Sequence, residues 1–197
     1  MKKILVLLAV SMMIVSCNNE TKKPNESKDV EIDSTTVRKH LYTLASDEMQ
    51  GRKTGTLGIE KAAQYIENEF SNLDLKTFEG LDSYRQTFTF TNRRTKEEIT
   101  SANIIGVLEG KSKKDEFVII SAHYDHLGID HKKEGDNIYN GANDNASGTT
   151  AVLVLAEYFK KLDNNERSIV FVAFTAEEMG LIGSRYFGKH INPNDIV

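Results

Sequence analysis

The feature that most constrains the fold is a short apolar run that stops abruptly at polar chemistry, and it occurs twice. Residues 117–120 (FVII) form a continuous apolar stretch, the pattern of a strand buried on both faces. It runs into SAHYDHLG, where His123 and Asp125 stand. Residues 170–174 (VFVAF) repeat the design and end beside Glu177 and Glu178. Between them, NGANDNASG (residues 140–148) sits directly ahead of a helical pattern and carries Asp144. In open α/β sheets, sites form outside the carboxyl ends of the strands, because loops converge there without disturbing the core. The three stretches are therefore expected to meet at one site, and their imidazole and carboxylate groups point to metal.

The remaining elements follow from periodicity. Val37, Leu41 and Leu44 share a helical face. DEMQGRKTGTLG breaks that pattern with Gly51, Gly55 and Gly58. From Ile59, the residues Ala63, Ile66, Phe70 and Leu73 recur at helical spacing and predict a longer amphipathic helix. Residues 84–90 alternate, as a strand with one wetter face would, and residues 102–108 (ANIIGVL) predict a second strand. Residues 111–116 read as a charged turn before the third strand, at 117–122. A loop of some twenty residues follows, and long loops in compact domains are usually functional. Residues 147–162 predict a helix, 168–174 the fourth strand, and 181–190 a helix ended by Pro193. The strand–helix alternation predicts an α/β fold: a mixed, mostly parallel sheet with helices on both faces.

With 197 residues and 39% hydrophobic content, the chain suits one globular domain with a true core. The net charge of -4 comes from intermixed acidic and basic residues. No basic stripe with interleaved aromatics is present, so nucleic acid is not an expected partner. Cys17 is the only cysteine, which excludes an intramolecular disulfide. Ahead of it, Lys2 and Lys3 precede an apolar stretch at 4–15 that is too short for an ordinary membrane span. Ile14-Val15-Ser16-Cys17 resembles a bacterial lipobox; the alternative is a plain signal peptide with an incidental cysteine. The expected organisation is a signal peptide at 1–16, a flexible tether at 17–35 and the domain at 36–197. Lipid chains on Cys17 would hold an exported protein on a cell-envelope membrane without a spanning helix.

Each candidate residue carries two readings. His123 offers a ring nitrogen suited to zinc, with Asp125 two residues on and on the same face to hold the other nitrogen. It also reads as a surface histidine after a strand. Asp144 reads as part of a helix cap, or as a carboxylate that bridges two cations with one oxygen each. Glu177 and Glu178 read as a solvated pair ahead of a helix. As a buried pair they would repel, and a cation would relieve that cost.

Ordering and spacing sharpen these readings. SAHYDHLG, GANDNASGTTAVLVLAE and FVAFTAEEMGLIGSRYF, with LASDEMQGRKTGTLGIEKAAQYIENEF upstream, resemble the aminopeptidase Y-like co-catalytic zinc exopeptidases. This is metallopeptidase family 28, which also includes glutamate carboxypeptidase-like enzymes. The resemblance runs from about Thr36 to the last residue. It implies a zinc exopeptidase-like fold, two Zn2+ ions per complete site and a peptide substrate. It implies His123 as a zinc ligand with Asp125 orienting its ring, Asp144 as the bridge, Glu177 as general base and Glu178 as ligand of the second zinc. The family's other ligands, an aspartate on the next strand and a histidine far downstream, have no counterpart. Asp195 falls too early, and His126, His131 and His190 fall in the wrong segments. The chain is thus expected to be the N-terminal part of a longer enzyme, with each zinc one protein ligand short of the usual three. By itself it is expected to bind zinc weakly and not to turn over peptide. Two other readings stand beside this one: a same-fold carboxypeptidase or single-zinc glutaminyl cyclase, and a surface lipoprotein that keeps the fold as a binding module.

Overall fold

The computed structural model describes residues 29–197. The expected signal peptide, Cys17 and most of the expected tether lie outside the described residues.

The first helix, α1 (Ser34–Leu44), starts where Asp33 accepts hydrogen bonds from the Thr35 and Thr36 backbone N–H groups. Such a cap satisfies donors that the first turn leaves unpaired. After an irregular 3-10 segment at Asp47–Arg52, α2 (Leu57–Asn72) buries Ile59, Ala62, Ala63, Ile66 and Phe70. Together with α3 (Ser147–Leu162), these helices cover one face of the sheet. There Leu44, Ile66, Phe70, Val152 and Leu153 pack with Ile104, Ile169, Phe171 and Ala173. The short helix α4 (Ile182–Gly188) lies on the opposite face, where Phe187 packs with Ile105, Val170 and Val172. Strand residues point alternately to opposite faces, so each face receives every second residue of 169–173. Both faces are covered, which is why that run is apolar without a break. Each buried Leu, Ile or Phe contributes roughly 1.5–3 kcal/mol.

The sheet is built from β1 (Lys76–Thr77), β2 (Arg85–Thr91), β3 (Glu98–Leu108), β4 (Lys113–His123) and β7 (Arg167–Phe174). Strand β3 pairs antiparallel with β1, β2 and β7, and β4 joins the far side of β7 in parallel. The α/β layering and mixed sheet match the expectation, but the balance of directions differs. Parallel pairing occurs at β4–β7 and at a bridge between Phe117 and Ile196; the other ladders of this sheet are antiparallel. The cause is connectivity. A tight turn joins β2 to β3, which forces antiparallel pairing, whereas α3 crosses over between β4 and β7 and returns the chain in the same direction. As a result β4 and β7 finish at one edge, with His123 opposite Phe174.

Three local expectations are corrected. Residues 113–116 are the solvent-facing start of β4, not a turn; the charged residues sit on exposed strand positions, and the register shifts between Lys113 and Phe117. The long loop contains a small ribbon of β5 (Gly128–Ile129) and β6 (Ile138–Tyr139). Helix α4 ends at Gly188, and Pro193 opens a separate 3-10 turn, Pro193–Asp195. Among the described residues, no helix is long and apolar enough to cross a membrane.

Candidate metal centre

The parallel strand ends set the geometry. Tyr124 N donates to Phe174 O (2.9 Å), and Thr149 Oγ1, from α3, donates to His123 O (2.9 Å). Beyond that point Asp125 is wholly buried. Its Oδ1 accepts from Glu177 N (3.0 Å), and its Oδ2 accepts from Glu178 N (3.3 Å) and Thr54 Oγ1 (3.2 Å). A buried carboxylate is tolerable only when donors surround it in this way. Asp125 thus fastens the ends of both strands together. It also stands behind His123, whose Nδ1 lies 3.7 Å from Asp125 Oδ1 and 3.2 Å from Asp125 O. Burial works against the His123 imidazolium, but the Asp125 carboxylate, helped by Glu177, outweighs it and holds the pKa above its ordinary value.

Asp144 arrives from an irregular turn, Ala142–Ala146, that leads into α3. The turn opens at Gly141, with φ +59°, where a Cβ would sit 2.4 Å from Asp144 O and 2.5 Å from the His126 ring. Only glycine satisfies both the conformation and the approach. Asp144 Oδ1 lies 3.1 Å from His123 Nε2, and its Oδ2 lies 3.9 Å from His126 Nδ1. His126 Nδ1 is also 2.8 Å from Glu178 Oε1. His126, Asp144 and Glu178 each offer an atom, and the three atoms lie within 4.8 Å of one another. The side chain of Glu177 makes no hydrogen bond among the described residues, while its backbone is held by Asp125.

The structure therefore draws together all five residues singled out from the sequence and adds His126, which sequence order had set aside. The chain turns after Asp125, and His126 N donates to Arg52 O (3.1 Å). A signal was present: His-Tyr-Asp-His sets an imidazole on each side of Asp125. His190 instead pairs with Tyr186 O (2.7 Å), and Asp195 accepts from Asn192.

Two buried polar residues that sequence reasoning missed hold this arrangement. Arg52 is fully buried. Its Nε donates to Tyr124 O (2.8 Å), its Nη1 to Asn140 O (2.7 Å) and to Leu44 O, and its Nη2 to Gly141 O (3.0 Å). Burial lowers its pKa to about 10, while Asp125 and then Asp144 pull the other way. Asn103 donates to Gln86 Oε1 and Gly183 O (2.9 Å each) and accepts from Thr175 N (3.1 Å), fixing the turn that presents Glu177 and Glu178. Neither residue belongs to a local pattern, because their partners are distant in sequence and are mostly backbone.

Two imidazoles and exposed carboxylate oxygens make a donor set that fits zinc. An α/β sheet carrying such a cluster at its parallel strand ends is of the zinc-exopeptidase class of folds. Solved structures share it. Glutaminyl cyclase from Fimbriiglobus ruber superposes with a TM-score of 0.69 at 22% identity, over 85% of this chain and 59% of that one. A zinc aminopeptidase from Bacillus subtilis superposes with a TM-score of 0.64 at 18% identity, over 85% of this chain and 68% of that one. More narrowly, residues 103–197 match the model of peptidase family M28. Aminopeptidase YwaD of Bacillus subtilis (strain 168) is 36% identical over 108 residues, which are 54% of this chain and 20% of YwaD. The chain thus matches only a minor part of that relative's length.

Proposed function

We propose that this domain carries the metal-binding site of a zinc-dependent exopeptidase, acting as an aminopeptidase on peptide substrates. The observation that carries the reading is that Asp144 lies 3.1 Å from His123 and also clusters with His126 and Glu178, whose ligand atoms and its own lie within 4.8 Å of one another. Bound zinc would supply a water of lowered pKa and a polarised carbonyl. His123 would hold one ion through Nε2, with Asp125 fixing the ring through Nδ1. Asp144 directs one oxygen toward His123 and the other toward His126, an orientation that suits a bridge between two ions. Glu178 would hold the second ion, and His126 is within reach of the same point. Glu177, free of side-chain partners, would accept the proton of the attacking water and return it to the leaving amine. The surrounding carboxylates would attract the substrate's free amine, which favours attack at the chain end.

The full-length protein tests this. With zinc added, it should hydrolyse aminoacyl-anilides, and chelation should abolish the activity. Activity that survives chelation would refute the reading. A second reading, glutaminyl cyclisation, is favoured by the likeness to the Fimbriiglobus ruber enzyme, and assay of a peptide with N-terminal glutamine separates the two. We further propose that Cys17 anchors the exported protein to a bacterial membrane, with residues 18–35 as tether and the domain from residue 36 onward. Intact-mass measurement of the membrane-extracted protein should show lipid at Cys17, and a free thiol there would refute the anchor.

A further inference from the structure

A cleft of about 500 Å³ opens beside the candidate metal centre. That volume lies within the range of small-ligand sites. Asp125, His126 and Glu178 contribute to its lining, and so do Lys53, Arg93 and Arg94. Arg85 and Arg167 are committed to Glu60, Glu67 and Glu116. By contrast, Lys53, Arg93 and Arg94 make no ion pair among the described residues. The two arginines stand on the tight turn between β2 and β3, whose backbone is closed by Asn92: its Oδ1 accepts from Arg94 N (2.9 Å) and Thr95 N (3.3 Å), and its N donates to Glu97 O (2.8 Å). Lys53 follows Arg52 directly, at the end of the buried segment that packs on the site.

The cleft is therefore bipolar. One part carries Glu178, whose carboxylate would meet a substrate amine, beside the His126 imidazole. The other carries three exposed cations that no carboxylate among the described residues pairs with. Cations without a protein partner are free to meet an anionic ligand, and arginine forks match carboxylate geometry. We propose that Lys53, Arg93 and Arg94 form a subsite for a substrate carboxylate lying one or two residues beyond the scissile bond. The carboxylate belongs either to the C-terminus of a short peptide or to an acidic side chain. This proposal rests on the peptidase reading and names the substrate class of that site.

The test uses the zinc-loaded full-length protein and three peptides: Leu-Gly-Gly as the free acid, Leu-Gly-Gly-amide, and Leu-Glu-Gly-amide. Two or three exposed, screened ion pairs together predict kcat/KM about five- to tenfold above Leu-Gly-Gly-amide, carried by KM. A gain confined to the free acid assigns the subsite to the terminal carboxylate; a gain confined to the glutamate peptide assigns it to the side chain. Arg93→Ala with Arg94→Ala should erase the gain, and Arg93→Glu with Arg94→Glu should reverse it. Both pairs lie on an exposed turn, and circular dichroism verifies folding. Equal kcat/KM for the three peptides, or a gain that survives both double variants, would overturn the subsite while leaving the peptidase reading intact. Hydrolysis of none of the peptides would overturn both.

Discussion

At the scale of single residues, Asp125 does more than orient a histidine. It binds the backbones of Glu177 and Glu178 while standing behind His123, so one carboxylate sets the positions of two others and an imidazole. Asp125→Asn keeps the shape but turns an amide donor toward backbone donors. Zinc affinity should fall about 10- to 100-fold, the range seen when such supporting groups are lost, as measured by competition with a chromophoric chelator. Glu177→Gln should lower kcat about 10²- to 10⁴-fold with KM and bound zinc nearly unchanged, because a general base acts only in the transition state. Steady-state kinetics beside metal analysis would check this, and a kcat within twofold of the parent would reassign the base. These residues were legible because an imidazole or carboxylate closing an apolar strand is unusual in itself. His126 was legible only as the second imidazole of His-Tyr-Asp-His; its role depends on how the chain turns after Asp125, and spacing alone does not reveal a turn.

At the scale of elements, the upstream 3-10 segment matters more than its irregular sequence suggests. Arg52 ties Leu44 at the end of α1, Tyr124 beyond β4, and Asn140 and Gly141 ahead of Asp144. Arg52→Met would leave the Tyr124, Leu44 and Asn140 carbonyls without that donor, while Gly141 O keeps Ala146 N. Unfolding in urea should show a loss of about 3 kcal/mol or more. Arg52→Lys should recover only part of it, because an ammonium cannot span the same set of acceptors. Helix α1 carries a separate pH dependence. His40 is buried against α2, with Nδ1 2.7 Å from Tyr65 Oη, and burial lowers its pKa from 6.5. The unfolded chain therefore takes up the proton first. His40's contribution is complete above that ordinary value and declines as the pH falls through it. Stability of the parent measured between about pH 7 and pH 5 should fall more steeply than that of His40→Asn. The helices themselves were legible from apolar periodicity. The first residues of β4 were not, because an exposed strand start bears the same charged residues as a turn.

At the scale of the molecule, fold and metal should be linked. The cluster joins β4, the turn before α3 and the end of β7, so an ion held there braces segments far apart in sequence. At a zinc concentration about 100 times the dissociation constant, the native state gains about 2.7 kcal/mol, or about 5–10 °C in Tm for a chain of this size. Chelation should reverse the gain. The α/β layering was legible from the alternation of strands and helices; the excess of antiparallel ladders was not, because strand direction depends on connections and not on apolar pattern. The account turns on whether Asp144 shares one metal with His123 and a second with Glu178. Crystals of the protein grown with zinc and measured on either side of the zinc absorption edge decide it most directly. The account predicts anomalous density beside His123 Nε2 and Asp144, and again beside Asp144 and Glu178. Anomalous density absent there, or found only at other surface residues, would contradict it.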